Sequence, residues 1–153
     1  MATPRVTARL LPVSPDGAVL LLQELDPVEP DRPYWSSIGG GVEDGEDATA
    51  TILREAHEEA GIRVARAALV GPVHASRNAY SWNGIDYLGE HTWYALPLSR
   101  ETEICFDHLA PDEVGTVLGY GWWQPQEVEG SVRRPVELPT IMRAAVAAVG
   151  GEQ

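Results

Sequence analysis

The chain has 153 residues, 44% of them hydrophobic and 22% charged, and a formal net charge of −12. A chain of this size can bury a substantial core, so we expect one domain over residues 1–153. The negative charge argues against binding a nucleic-acid duplex through a basic patch. With no long apolar run and no secretory signal pattern, we expect no membrane association and a cytoplasmic location.

The first part of the chain favours a β-hairpin. Residues 5–13 alternate between apolar and polar types, Pro15-Asp16-Gly17 favours a turn, and residues 18–22 form an apolar run suited to a buried strand. The three prolines within residues 26–33 predict an irregular loop. This loop leads to residues 35–38 and then to three consecutive glycines.

The remainder combines helices with strands. Residues 47–60 contain neither proline nor glycine, Asp47 can cap the helix and Gly61 can end it. We expect further strands over 62–74, 85–96 and 120–123, a long loop over 97–119, and a C-terminal helix over 138–149. The pattern predicts an α/β fold in which helices pack on a mixed sheet.

Three carboxylates are concentrated on the first helix. At about 100° per residue, Glu55, Glu58 and Glu59 fall within an arc of roughly 100°, and we expect Leu53 and Ala56 to pack on another face. Mg²⁺ prefers oxygen ligands, and the upstream glycines would let the backbone approach a metal or a phosphate. Taken alone, however, a glutamate-rich helix face is more often simply solvated.

The spacing of these residues resembles the signature of the Nudix hydrolase family. That signature is G-x5-E-x7-R-E-U-x-E-E-x-G-U, in which U is apolar, and here it reads Gly40, Glu46, Arg54, Glu55, Ala56, Glu58, Glu59, Gly61 and Ile62. The resemblance implies an α/β/α sandwich with a mixed β-sheet. It also implies hydrolysis of a diphosphate linkage in a nucleoside diphosphate derivative, with Mg²⁺ or Mn²⁺ as cofactor and water as nucleophile. One departure is Ile38, where many members have proline.

The resemblance also implies roles for individual residues. Glu58 and Glu59 match the principal metal ligands, and the carbonyl group of Gly39 matches a backbone ligand. Glu55 matches a residue that is either a ligand or the general base. Arg54 matches an arginine that holds the glutamates in place, the alternative being a surface ion pair with Glu58. Since Glu46 belongs to the same signature, we expect it to brace the loop or the arginine.

Members of the family often use one more acidic ligand from outside the signature. Glu113 is our choice, because it lies in the long loop ahead of Gly121-Trp122-Trp123. Glu101, Glu103 and Asp112 compete for this role, and each could equally be an ordinary exposed acid.

For substrate binding we select Arg77, Tyr80 and Trp35. We expect the first two in the loop after a strand, and Tyr80 resembles a tyrosine of dinucleoside polyphosphate hydrolases. The chain lacks the proline near residues 77–78 that is expected of the ADP-ribose subgroup. Trp35 could stack on a base, although a role in the core is its ordinary alternative.

Two other functions fit the same resemblance. One is a nucleotide-binding module without catalysis, and the other is a diphosphate isomerase of the same fold. The complete signature favours the hydrolase. A homodimer is compatible with the family.

Overall fold

The computed structural model describes residues 2–150, so residue 1 and residues 151–153 of the expected domain lie outside the described part. The strands are β1 (Thr3–Val13), β2 (Val19–Glu24), β3 (Tyr34–Ser36), β4 (Ile38–Gly41), β5 (Val70–Trp82), β6 (Ile85–Pro97) and β7 (Val117–Trp123). The helices are α1 (Ala48–Ala60), α2 (Pro125–Val128) and α3 (Leu138–Gly150), with a short 3-10 helix at Arg66–Ala68.

The strands form one mixed sheet. Its central path runs β3-β2-β1-β6-β5, while β4 pairs with β1 and β7 pairs with β2. The β1–β6 pairing is parallel and the other strand pairs are antiparallel. Strand β1 shares one edge between two partners, because residues 7–10 pair with β4 and Val13 pairs with β2. The mixed sheet predicted from the sequence is therefore confirmed.

Helices cover both faces of the sheet. Leu10 and Leu22 belong to a core cluster with Ile52 of α1, whereas Leu11 and Leu21 belong to a second cluster with helix α3. Strands covered on both faces are apolar at successive positions, which explains the continuous apolar run at the start of β2. The result is the expected α/β/α sandwich.

Helix α1 begins and ends at the residues that the sequence indicates. The side chain of Asp47 accepts a hydrogen bond from the Ala50 N–H at 2.8 Å. Gly61 ends the helix with φ 69°, in the left-handed region that glycine tolerates best, and donates its N–H to His57 at 3.0 Å.

The predicted separation of a packed face from a carboxylate face is wrong. Glu55 and Glu59 are both buried, and they flank the buried side chains of Ile52 and Ala56, while Leu53 is only half-buried. The carboxylates therefore lie at the edge of the face that packs against the sheet. Their burial is what distinguishes them from the glutamates of a solvated helix surface.

The strand predicted over residues 62–74 is also placed wrongly. Residues 62–69 form a connection that contains the 3-10 helix, and β5 then continues to Trp82 along its antiparallel partner β6. The hairpin turn is Asn83-Gly84, with φ 52° and φ 77°. An Asn-Gly pair is a strong hairpin signal because both residues accept positive φ. Arg77 and Tyr80 consequently lie in a strand and not in a loop.

The long loop is confirmed, although it is shorter than predicted. It extends over residues 98–116, because β7 begins at Val117, three residues before the expected strand. Helices α1 and α3 each have 13 residues, and none of the helices within residues 2–150 has the length and apolar character needed to cross a membrane.

Candidate active site

A cleft of about 1200 Å³ opens beside the glycine strand β4. One wall is formed by α1 and the 98–116 loop, which contribute glutamates. Another wall is formed by β1 and β5, which contribute Arg5, Arg9, Asn78 and Tyr80. Acidic and basic groups therefore line the same cavity.

Three carboxylates converge on the acidic wall. One oxygen from each of Glu55, Glu58 and Glu113 lies within 4.8 Å of the other two. Glu113, which lies in the 98–116 loop, thus comes close to the glutamates of α1. A ligand from outside the signature must occupy such a position. Of its competitors, Asp112 also lines the cleft, whereas Glu101 and Glu103 do not.

The glycine strand lets the carboxylates approach the backbone closely. The N–H of Gly39 donates a hydrogen bond to Oε1 of Glu59 at 2.8 Å, and Glu59 is only 3% exposed. A Cβ atom at Gly40 would lie 2.7 Å from Oε1 of Glu55. A side chain at this position would therefore displace a glutamate of the cluster.

Arg54 is held at the centre of several oxygen atoms. Its Nε and Nη2 atoms donate to the two carboxylate oxygens of Glu46, at 2.8 and 3.0 Å. Nη1 donates to Glu55 at 2.6 Å, and Nη2 also donates to the carbonyl group of Gly41 at 3.1 Å. The contact with Glu58 is the longest of its hydrogen bonds, at 3.5 Å. Arg54 therefore connects the loop before α1 to Glu55. Its role is not limited to the surface ion pair with Glu58 that was the alternative.

Burial and mutual repulsion raise the pKa values of the carboxylates. Burial raises the pKa of Glu59 well above its usual value, and the charges of Glu24, Glu55 and Glu113 add to the effect. The pKa of Glu55 is raised by burial and by Glu113. In contrast, hydrogen bonds from Arg54 lower the pKa of Glu46 to about 2. Their protein surroundings thus disfavour the ionised forms of Glu55 and Glu59.

Glu24 is a further acid of the cleft that the sequence did not reveal. It is the last residue of β2 and lines the cleft. Burial and the charges of Glu113 and Glu55 raise its pKa to about 7, against the opposing charge of Arg9. The available signal was an acid at the end of an apolar strand. Only the pairing of β2 with β3, in which Glu24 lies opposite Tyr34, places it at the cleft.

Only one of the three residues predicted to bind substrate lies in the cleft. Tyr80 lines the cleft, but Arg77 and Trp35 do not. The Arg77 side chain is 75% exposed and pairs with Glu90 at 2.8 Å, while Trp35 packs against Trp123 with a ring-centroid distance of 4.9 Å. On β3, the neighbours of Trp35 line the cleft instead, because successive side chains of a strand point to opposite faces.

Comparison with known proteins is consistent with this arrangement. The family described as NUDIX domain matches residues 3–143, so the chain belongs to the Nudix family. The expectation of a Nudix hydrolase with the corresponding fold is thereby confirmed. No curated protein matches the sequence significantly.

Several solved structures share the fold. The E. coli dihydroneopterin triphosphate pyrophosphohydrolase is 22% identical with a TM-score of 0.72, and the alignment covers 96% of this chain and 99% of that one. A C. elegans Ap4A hydrolase is 20% identical with a TM-score of 0.65, covering 96% and 98%. The NUDIX domain of Shewanella oneidensis NrtR, complexed with ADP ribose, is 15% identical with a TM-score of 0.67, covering 97% and 90%. At these identities the likeness concerns the fold.

Proposed function

We propose that the protein is a divalent-metal-dependent pyrophosphohydrolase. Its substrate is a nucleoside diphosphate derivative, such as a nucleotide, a nucleotide sugar or a dinucleoside polyphosphate. The observation that carries this proposal is the convergence of Glu55, Glu58 and Glu113 within 4.8 Å inside a cleft of the Nudix fold.

The donor set fits a hard cation. Mg²⁺ and Mn²⁺ bind carboxylate and carbonyl oxygens, and the cluster offers several carboxylates at ligand spacing. Burial, followed by the charges of neighbouring carboxylates, raises the pKa values of Glu55, Glu58 and Glu59, and a bound cation would favour their ionised forms. We assign Glu55, Glu58, Glu59, Glu113 and the Gly39 carbonyl to the metal site. A bound cation would offset the charge of the diphosphate and make water a better nucleophile.

The protein's own groups divide the remaining work. Glu55 has one oxygen held by Arg54, which leaves the other free to bind a cation or to take a proton from the attacking water. Arg54 keeps Glu55 and Glu46 in fixed positions by hydrogen bonding. Because burial excludes competing water from Glu55 and Glu59, their charges act in a medium of low dielectric constant.

The neighbours in fold support the substrate class. One is named as an Ap4A hydrolase and another as a dihydroneopterin triphosphate pyrophosphohydrolase. The third is described in complex with ADP ribose. All three molecules contain a phosphoanhydride bond. The basic wall of the cleft is suited to the same anionic group.

The test is a panel of nucleotides, nucleotide sugars and dinucleoside polyphosphates incubated with Mg²⁺, with Mn²⁺ or with EDTA. We expect metal-dependent release of phosphate-bearing products from at least one compound. Binding without product would indicate a nucleotide-binding module. Conversion of an isoprenoid diphosphate without phosphate release would indicate an isomerase. The cytoplasmic location and the homodimer stay predictions from the sequence.

A further inference from the structure

Two arginines line the basic wall of the cleft. Arg5 and Arg9 lie four residues apart on β1, so their side chains leave the same face of the strand. Neither forms an ion pair with a carboxylate within residues 2–150. Two half-buried guanidinium groups therefore face the cavity with their charge available to an anion.

The glycine strand brings both arginines towards the proposed metal site. Strand β4 pairs with β1 so that Gly39 lies opposite Arg9. A Cβ atom at Gly39 would lie 2.8 Å from Cδ of Arg9, and one at Gly41 would lie 3.4 Å from Nε of Arg5. The Arg9 side chain thus packs against Gly39, whose N–H donates to Glu59. Arg9 therefore lies at the boundary between the acidic and basic walls.

A chain of hydrogen bonds connects Arg9 to the floor of the cleft. Its Nε donates to the hydroxyl group of Thr7 at 3.3 Å, and this hydroxyl lies 2.5 Å from Nδ1 of His91. The other ring nitrogen of His91 lies 2.7 Å from Oδ1 of Asn78. Since Oδ1 only accepts, Nε2 carries the proton and Nδ1 accepts from Thr7, so each donor has an acceptor.

His91 is suited to a fixed, uncharged role. It is 8% exposed, and burial together with the charges of Arg9 and Arg5 lowers its pKa to about 4. Gly89 makes room for the ring, because a Cβ atom there would lie 2.5 Å from Nε2 of His91. His91 therefore stays neutral at pH 7 and can hold Thr7 without adding charge.

Arg5 is supported by aromatic groups. Its Nη1 donates to the hydroxyl of Tyr80 at 3.4 Å, and its guanidinium lies over the ring of Tyr87, 5.5 Å from the centroid. Such contacts orient a guanidinium while leaving its remaining donors free.

We propose that Arg9 and Arg5 bind a phosphate chain that continues past the bond hydrolysed at the carboxylates, and that Thr7, His91 and Asn78 position Arg9. This inference rests on the proposed function and narrows the substrate to a chain of at least three phosphates, as in a nucleoside triphosphate or a dinucleoside polyphosphate. Arg5 lies beside Gly41, two residues along β4 from the proposed ligand Gly39 that Arg9 faces. A diphosphate held at the metal site would therefore leave Arg5 without an anion.

The test compares hydrolysis of ATP, diadenosine tetraphosphate and ADP-ribose by the wild type and by three variants. Arg9→Gln and Arg5→Gln should raise KM for ATP or diadenosine tetraphosphate by about 10- to 100-fold with little change in kcat, because each removes charge-assisted hydrogen bonds made in both ground and transition states. Arg5→Gln should leave KM for ADP-ribose unchanged. The matched control is Arg77→Gln, which removes an arginine outside the cleft and should leave every KM unchanged.

The positioning chain is tested at Thr7, which is 1% exposed. Thr7→Val removes the hydroxyl and should raise KM for ATP and diadenosine tetraphosphate, as Arg9→Gln does. Thr7→Ser keeps a hydroxyl and should retain the wild-type KM. If Thr7→Val lowers the melting temperature but leaves KM unchanged, Thr7 and His91 have only a structural role and the positioning part is wrong.

The outcomes separate this inference from the proposed function. Should the wild type hydrolyse these compounds while both arginine variants keep the wild-type KM, the anion site is refuted and the hydrolase stands. Should the wild type hydrolyse nothing, the proposed function fails, and binding of ATP in EDTA decides the anion site. Arg9→Gln must then weaken ATP binding about 10-fold or more; equal affinity overturns the inference.

Discussion

Replacing Glu59 with glutamine should give a folded protein that has lost most of its activity. Glutamine keeps the size of the side chain, and its carbonyl oxygen can still accept the Gly39 N–H that now bonds at 2.8 Å. The variant removes a negative charge from the proposed metal site. Losing electrostatic stabilisation of this kind lowers turnover by about 100- to 1000-fold.

The same substitution should stabilise the metal-free protein. Burial and the charges of Glu24, Glu55 and Glu113 disfavour the ionised form of Glu59. Two like unit charges about 5 Å apart repel each other by about 3 kcal/mol at an effective dielectric constant of about 20. Shared protons relieve part of this repulsion, so we expect a gain of about 1–2 kcal/mol. For a chain of this length, that gain raises the melting temperature by about 2–8 °C.

The assay combines steady-state hydrolysis with thermal unfolding in EDTA and in excess Mg²⁺. Glu103→Gln is the matched control, because Glu103 is an exposed acid outside the cleft. The control should keep wild-type activity and a wild-type response to Mg²⁺. Near wild-type turnover by Glu59→Gln at saturating metal would refute the assignment of the carboxylates.

Three further predictions concern the same site. Glu113→Gln should lower turnover less than Glu59→Gln does, because water can replace a loop ligand of Mg²⁺; a silent Glu113→Gln beside a damaging Asp112→Asn would move the ligand to Asp112. Mg²⁺ at about 100 times its dissociation constant should add about 2.7 kcal/mol to the free energy of unfolding, and an unchanged melting temperature would contradict a preformed site. The pKa of His91 is about 4 in the folded protein against 6.5 for an ordinary histidine, so the unfolded state binds the proton more tightly and stability falls as the pH drops. Between about pH 7 and pH 4 the wild type should lose about 3 kcal/mol relative to His91→Gln, and equal pH dependence of the two would refute a buried neutral histidine.

The sequence by itself determined the features that depend on local spacing. Asp47 and Gly61 delimit α1 through contacts within a few residues, and the helical period alone places Glu55, Glu58 and Glu59 close together. The glycines before the helix likewise indicated a close approach of backbone to carboxylate. Glu113 was selected by resemblance, and the structure brings it to the cluster.

Other members of the site depend on strand register and on the path of the sheet. Arg9 enters the cleft because β1 pairs with the glycine strand, and Glu24 enters it from the end of β2, which pairs with β3; no local pattern specifies these pairings. Trp35 stays outside because side chains alternate along a strand, so a shift of one residue exchanges the two faces. Arg77 stays outside because its exposed side chain pairs with Glu90 instead. The hydrogen bonds of His91 join three strands across long sequence separations. Helical spacing therefore determined the three glutamates of α1, whereas only the tertiary structure decided the positions of Glu24, Glu113 and the basic wall.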